Sequence, residues 1–297
     1  MWWRSLVPLV LACSLAGCSA VLPAPTPAAT SRVASPSPTV QPAAAQGATT
    51  GEDGAPDSSA PAVTITILHD NTAFDKALRA DHGFAALVET PEHVLLFDTG
   101  ASKLTLQNMQ TMGIDPQVIE AVVISHYHSD HTGGLRPLWD AGLVAPIYAP
   151  PEPADSIRRN AKGRAEVIDV TDALELFPGI YITKPIGVIA EDALVVATPE
   201  GSVVLVGCSH PGPEGMAEMA QEVVPGKIAL LAGGYHLSGY GEDVMSLGAK
   251  LTRMGVERVM PTHCTGKSAI DALRADYGDR CLEGGVGRRI SIPSAGG

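Results

Sequence analysis

The sequence predicts a mixed α/β fold in which two β-sheets carry helices on their outer faces. Short apolar runs rich in β-branched residues occur in pairs separated by turn residues, which indicates hairpins. Other apolar runs alternate with helical segments, which is typical of sheets covered by helices. The 297 residues are 45% hydrophobic, enough to bury a substantial core, and only 4% aromatic, so that core is aliphatic.

The first part of the folded region is rich in strand signals. A helix follows, and Gly113 ends it, because glycine favours helix C-termini. The turn Thr90-Pro91-Glu92-His93 joins the second and third strands. The predicted elements are strands over 63–68, 84–89 and 94–97, a helix over 102–112, and a buried strand over 121–125.

The second part combines one more hairpin with alternating strands and helices. The turn Pro199-Glu200-Gly201 separates two apolar β-branched runs. The predicted elements are strands over 194–197 and 203–206, a helix over 214–223, a strand over 228–232, a helix over 243–254, a strand over 258–260, a helix over 267–277 and a strand over 289–292.

The N-terminus has the pattern of a secretory signal. Arg4 precedes a short apolar stretch that ends in Leu15-Ala16-Gly17-Cys18. This ending resembles the lipobox of bacterial lipoproteins, in which the cysteine at position 18 becomes the lipid-modified first residue. The Ala-, Pro-, Ser- and Thr-rich stretch that follows cannot bury enough surface to fold, so it predicts a disordered tether. We therefore expect a signal over 1–17, a lipidated Cys18 and tether over 18–61, and an extracytoplasmic, membrane-anchored domain over 62–297.

Charge and cysteine content exclude some functions. The formal net charge is −12, and no basic run is present, which disfavours nucleic-acid binding. Beyond the signal and Cys18, three cysteines remain, at positions 208, 264 and 281. An odd number outside the cytoplasm is not a disulfide framework, so we expect at least one buried or metal-proximal thiol. The oligomeric state is not indicated.

The chemistry concentrates in one short run. Three of the nine histidines fall at positions 126, 128 and 131, with Asp130 among them. His126 and His128 follow an apolar strand and are two residues apart, so in extended chain their side chains share a face. Imidazole and carboxylate groups are suitable ligands for zinc and similar divalent ions. The run therefore predicts a site for one or two such ions.

Several motifs together resemble the metallo-β-lactamase-fold superfamily. The histidine run is preceded by Phe97-Asp98-Thr99-Gly100, as in that superfamily, and the order of segments matches over about 63–292. Within it, the chain resembles the branch called dihydropterin-ribofuranosyl-aminobenzene-phosphate synthase-like. The motifs that carry this narrower likeness are His131-Thr132-Gly133-Gly134-Leu135, Gly207-Cys208-Ser209-His210-Pro211-Gly212, Gly233-Gly234-Tyr235-His236-Leu237 and Pro261-Thr262-His263-Cys264-Thr265-Gly266.

The resemblance implies a four-layer αββα sandwich with metals at one rim of the sheets. It implies that Asp98 orients the ligands by hydrogen bonds without binding metal itself, and that Asp130 also positions the nucleophile. We expect His236 to contact substrate or to transfer a proton. The implied ligands are His126, His128 and His210 for the first metal, and Asp130, His131 and His263 for the second. Two further segments resemble the family, around His69 and His82; their roles stay open, and His93 is interpreted as a turn residue.

One position departs from the family pattern. Many members with two metals have a bridging aspartate after the strand that here ends at Val206, whereas this chain has Gly207-Cys208. Cys208 can bind metal as a thiolate or serve as a small buried residue, and the sequence slightly favours the second role. The cofactor is then one or two divalent ions, with zinc preferred and iron or manganese as alternatives.

The predicted function is metal-assisted hydrolysis of an ester, phosphoester or similar bond in a small molecule. The superfamily resemblance implies a metal-activated hydroxide as nucleophile. Two alternatives remain. The branch name implies a pterin-type condensing enzyme. Pterin precursors are cytosolic, however, whereas the predicted lipid anchor implies a domain outside the cytoplasm. A non-catalytic, metal-dependent binding lipoprotein is the other alternative.

Overall fold

The computed structural model describes residues 61–237 and 242–293. The predicted signal, Cys18 and tether lie outside the described residues, so lipid anchoring stays a prediction. No helix in the described part of the chain is long and apolar enough to cross a membrane.

The first sheet contains seven strands of the described chain, in the spatial order β13-β1-β2-β3-β4-β5-β6. Its strands β1 to β3 pair antiparallel, whereas β3 to β6 run parallel. Alternate residues of its long first strand, Val63, Ile65 and Ile67, face the core between the sheets. The strands are β1 (Pro61–His69), β2 (Ala85–Glu89), β3 (Val94–Phe97), β4 (Ala121–Val123), β5 (Ile147–Ala149), β6 (Val167–Asp169) and β13 (Arg289–Pro293).

The second sheet contains six strands of the described chain, in the order β12-β11-β10-β9-β8-β7. Its strands β7 to β10 pair antiparallel, and β10 to β12 run parallel. The strands are β7 (Leu174–Phe177), β8 (Ile180–Ile182), β9 (Ala193–Val196), β10 (Ser202–Val206), β11 (Ile228–Gly234) and β12 (Val259–Thr262).

Helices cover the outer face of each sheet, so the predicted four-layer αββα architecture is confirmed. Met109, Leu138 and Ile157, from α1, α3 and α4, pack on the first sheet. Met216 and Leu273, from α5 and α7, pack on the second. The helices are α1 (Leu104–Thr111), α2 (Ser129–Thr132), α3 (Leu135–Asp140), α4 (Pro151–Ala161), α5 (Pro213–Val223), α6 (Glu242–Arg253) and α7 (Lys267–Tyr277).

The elements between residues 135 and 182 were not predicted. Strands β5 to β8 are three or four residues long, and β6 and β7 are only partly buried, so their periodicity is weak. The predicted strand over 121–125 ends at Val123. Because it ends early, Ile124 and Ser125 begin the loop that carries the histidine run.

Candidate metal centre

The predicted site residues gather where several strands end. Asp98 follows β3, His126 lies just beyond β4, Cys208 follows β10, His236 follows β11, and His263 follows β12. Strands β3 and β4 are parallel, as are β10, β11 and β12, so within each set the carboxyl ends meet at one edge. Residues far apart in sequence are thereby brought into one pocket.

Three histidines form what we call the first cluster: His126, His128 and His210. One side-chain nitrogen from each lies within 4.8 Å of the others. His126 Nε2 is 3.0 Å from His128 Nδ1, and the ring centroids of His128 and His210 are 4.9 Å apart. The cluster offers three imidazole nitrogens as ligands from two separate segments of chain.

Four residues form the second cluster: Asp130, His131, Cys208 and His263. Their ligand atoms also lie within 4.8 Å of one another. Asp130 Oδ2 is 3.6 Å from His131 Nε2 and 3.2 Å from His263 Nε2, and Cys208 Sγ is 3.3 Å from His131 Nε2. The rings of His126 and His131 are 4.2 Å apart, so the two clusters adjoin. The structure therefore brings together all six predicted ligands and Cys208.

Four of the histidines are held through their Nδ1 atoms. In each case Nδ1–H donates to an oxygen behind the site, which leaves the Nε2 lone pair for the pocket. The donor–acceptor pairs are His126 with Ser125 Oγ at 2.9 Å, His131 with Asp98 Oδ2 at 2.6 Å, His210 with Glu191 Oε2 at 2.8 Å, and His263 with Asn71 Oδ1 at 3.0 Å.

Asp98 anchors the floor of the pocket. Besides His131, its carboxylate accepts hydrogen bonds from the backbone N–H and the hydroxyl of Ser125, both at 2.8 Å. Asp98 is completely buried, and burial raises the pKa of its carboxyl well above the ordinary value. The space behind it is tight, because a Cβ at Gly207 would overlap Ser125 Oγ. Asp98 thus holds the ring of His131 by a hydrogen bond, and its role in orienting a metal ligand stays a prediction.

Glu191 is a buried residue that the sequence interpretation missed. Its carboxylate accepts hydrogen bonds from the backbone N–H groups of Cys208, Ser209 and His210 and from His210 Nδ1, at 2.7 to 2.8 Å. Burial alone would raise the pKa of Glu191, but these bonds lower it to about 2. The available signal was the acidic pair Glu191-Asp192 directly before a fully apolar strand.

The remaining histidines lie at different depths. His236 is exposed, with its ring 4.6 Å from that of His210 and its backbone at φ 47°, so it lies on the open side of the first cluster. His82 Nε2 is 3.0 Å from Asp130 Oδ2 with its side chain 64% exposed. His69 is buried against Thr105, which indicates a structural role. His93 lies in the predicted turn.

The donor set fits a divalent cation. His210 Nε2 is buried and has no hydrogen-bond partner among the described residues. Burial, followed by the nearby imidazoles, lowers the pKa of His126 to about 2 and that of His131 to about 3. These rings therefore stay in the neutral, metal-binding form near neutral pH. Neutral imidazoles beside a carboxylate and a thiol are a suitable combination for zinc and similar ions.

Comparisons with known proteins agree with this architecture. A family model described as the metallo-beta-lactamase superfamily matches residues 78–263. The 7,8-dihydropterin-6-methyl-4-(beta-D-ribofuranosyl)-aminobenzene-5'-phosphate synthase of Methanocaldococcus jannaschii is 26% identical, covering 71% of this chain and 90% of the relative. The structure of Tm1679, a metal-dependent hydrolase of the beta-lactamase superfamily, has a TM-score of 0.68 and 24% identity, covering 78% of this chain and 100% of its own. Zn²⁺-bound PqqB from Methylobacterium extorquens has a TM-score of 0.54 and 17% identity, covering 77% of this chain and 100% of its own.

Proposed function

The chain belongs to the metallo-beta-lactamase superfamily, and from that premise we propose that it is a metal-dependent hydrolase of a small-molecule ester, phosphoester or similar bond. The observation that supports this most is the convergence of the two clusters from three separate stretches of chain. The lipobox-like N-terminus supports a location outside the cytoplasm on a lipid anchor.

The two clusters would hold one or two divalent ions, with zinc preferred and iron or manganese as alternatives. When bound, such an ion supplies Lewis acidity, which lowers the pKa of water and polarises the oxygen of the bond to be broken. The protein contributes ligand geometry. Asp98 and Glu191 fix the ring planes of His131 and His210, so these Nε2 atoms need no rearrangement when a cation arrives.

Asp130 has a second proposed task, because one of its oxygens faces several partners. Asp130 Oδ2 is within 3.6 Å of His82, His131 and His263 nitrogens. Burial opposes ionisation of Asp130, but the imidazole of His263, 3.2 Å away, holds the pKa of the carboxyl below its ordinary value. The carboxylate therefore stays ionised and can accept a hydrogen bond from the attacking water, which orients it toward the substrate.

His236 is proposed to act on the substrate side. Its exposed ring lies next to His210 at the pocket opening, and its backbone N–H donates to Cys264 Sγ at 3.2 Å. That bond fixes the loop so that the imidazole can contact substrate or donate a proton to the leaving group.

Cys208 is proposed as a ligand of the second cluster. It is 3% exposed, as a small structural residue would be, but its sulfur lies 3.3 Å from His131 Nε2 among the other ligand atoms. A thiolate there would supply the negative charge that the missing bridging aspartate supplies elsewhere in the family.

A condensing enzyme is the second candidate, favoured by the relationship to the pterin synthase of Methanocaldococcus jannaschii. Both candidates can be tested on the full chain purified in detergent and loaded with zinc. Phosphodiester, lactone and β-lactam panels would be incubated beside a pterin substrate, with His128→Ala as the inactive control. We expect hydrolysis of a compound in the phosphodiester, lactone or β-lactam panel, and we expect His128→Ala to lose that activity. Pterin condensation without hydrolysis would support the second candidate, and metal binding without any turnover would indicate a binding protein.

A further inference from the structure

A separate cavity of about 390 Å³ lies between α3 and α4, beside the loop that carries the first cluster. Its lining includes Arg136, Lys162 and Arg164 and contains no carboxylate side chain. This composition is unusual in a chain with a formal net charge of −12. The cavity wall therefore concentrates positive charge at one place on an acidic protein.

Neighbouring carboxylates neutralise only part of this charge. Arg164 Nη1 lies 3.0 Å from Asp140 Oδ1, and Arg136 Nε lies 3.9 Å from the other oxygen of the same carboxylate. Lys162 has no ion pair within the described residues. Two of the three cations thus share one carboxylate and the third has no ion pair, which leaves an excess of about two positive charges for a ligand.

The cavity wall also carries the only tryptophan of the described residues. Trp139 lines the wall and is 8% exposed, so its emission can report on what binds in the cavity. Ser156 and Asn160 add further polar groups to the same wall.

The cavity shares a wall with the first cluster. Tyr127 lines the cavity, and its ring packs edge-on against His128 with centroids 4.6 Å apart. Thr132, another lining residue, donates through its hydroxyl to the carbonyl of His128 at 3.3 Å. A ligand held in the cavity can therefore extend past Tyr127 toward the metal ligands.

We propose that this cavity binds the phosphate group of a phosphorylated small molecule, whose reactive bond then lies over the two clusters. An excess of about two positive charges matches a phosphate dianion better than a single carboxylate. Guanidinium groups suit phosphate geometry, and the side chains of Ser156 and Asn160 can donate to further oxygens. Identifying this ligand as the substrate rests on the proposed function, whereas phosphate binding itself does not.

Trp139 provides the test, because the only other tryptophans of the chain are Trp2 and Trp3. The full chain with Trp2→Phe and Trp3→Phe, zinc-loaded in detergent, would be titrated with inorganic phosphate and with glycerol 3-phosphate while tryptophan emission is recorded. We expect a saturable change. Arg136→Gln combined with Lys162→Gln should raise the dissociation constant at least about tenfold, since each charge-assisted contact contributes substantially.

Arg159→Gln is the matched control, because Arg159 is an exposed arginine of α4 that does not line the cavity. It should leave phosphate binding unchanged. Arg136→Gln alone and Lys162→Gln alone should each raise the dissociation constant by less than the double substitution does. An emission that does not respond, or a response that survives the double substitution, would overturn the proposal. A stronger response to phosphatidylglycerol vesicles than to either soluble phosphate would also overturn it, in favour of a lipid surface.

The same titration separates this proposal from the proposed function. His128→Ala should abolish hydrolysis and keep the phosphate response of Trp139. A chain that responds to phosphate but hydrolyses nothing would contradict the hydrolase assignment and leave the phosphate site standing.

Discussion

The first and second clusters adjoin but differ in chemical kind. The first consists of three imidazoles, and its negative charge lies behind it, in the buried carboxylate of Glu191 that holds His210. The second also has a buried carboxylate behind it, Asp98 at His131, but in addition it includes a carboxylate and a thiol among the candidate ligands, through Asp130 and Cys208. The difference teaches that the acidic groups of a cation site can lie wholly behind the ligand set in one cluster and partly within it in the next. The following predictions test that distinction.

The largest effect is expected from removing a ligand of the first cluster. His128→Ala should release about one metal equivalent per chain and lower kcat/KM by more than about 100-fold, beyond the 10- to 100-fold loss typical of an outer-shell partner. Metal analysis and steady-state kinetics measure both. The control is His93→Ala, since that ring stacks on Phe177 away from both clusters. Full metal content in His128→Ala would contradict the assignment of the first cluster.

A smaller effect, selective for one cluster, is expected from replacing a buried carboxylate that holds a candidate ligand. Glu191→Gln should weaken metal binding at the first cluster about 10- to 100-fold, because an amide offers one acceptor oxygen where the carboxylate now receives four hydrogen bonds. Asp98→Asn should act mainly on the second cluster through His131. Competition with a chelator during zinc titration separates the two affinities. Equal losses at both clusters in both variants would show that the clusters bind metal as one unit.

Cys208→Ser tests whether the thiol binds metal in the second cluster. Because the sulfur lies among the ligand atoms, we expect about tenfold weaker zinc binding at the second cluster and little change at the first. Cys281→Ser, a buried cysteine in the core outside the second sheet, is the matched control. If Cys208→Ser retains two tightly bound equivalents, Cys208 is a small buried residue, as the sequence slightly favoured.

The smallest effect is expected where a histidine–carboxylate pair lies outside both clusters. His93 Nδ1 is 3.0 Å from Glu120 Oε2, and this bond lowers the pKa of Glu120 from its ordinary value of 4.5. A lowered folded-state pKa means that the stabilisation is present above about pH 4.5 and is lost as the pH falls through the lower value. Glu120 is 43% exposed, so we expect Glu120→Gln to reduce the free energy of unfolding by only about 0.2–0.5 kcal/mol at pH 7.

Urea unfolding at pH 7 and at pH 3 checks this prediction, and the difference between wild type and variant should shrink at the lower pH. A difference that grows on acidification would mean that Glu120 contributes through something other than its charge.

The sequence could point to most residues of the two clusters because these candidate ligands lie in short, conspicuous motifs. His126, His128 and His131 share six residues, and His210 and His263 each follow an apolar strand. The αββα architecture and the superfamily resemblance are likewise confirmed. Glu191 was missed because a glutamate before an apolar strand has the same local pattern whether it is exposed or buried. Strands β5 to β8 were missed because runs of three or four residues leave little periodicity.

The sequence by itself determined the fold class, the identity of the candidate ligands and the odd placement of a cysteine where a carboxylate is common. Only the tertiary structure decided which ligands share a cluster, which buried oxygens hold their rings, and that Arg136 and Lys162 line one cavity. The physical reason is that residue type and spacing fix local conformation and ligand chemistry. Which residues meet across the pocket depends instead on where the carboxyl ends of the strands in the two packed sheets lie. The distance between the two sheets is set by the core between them.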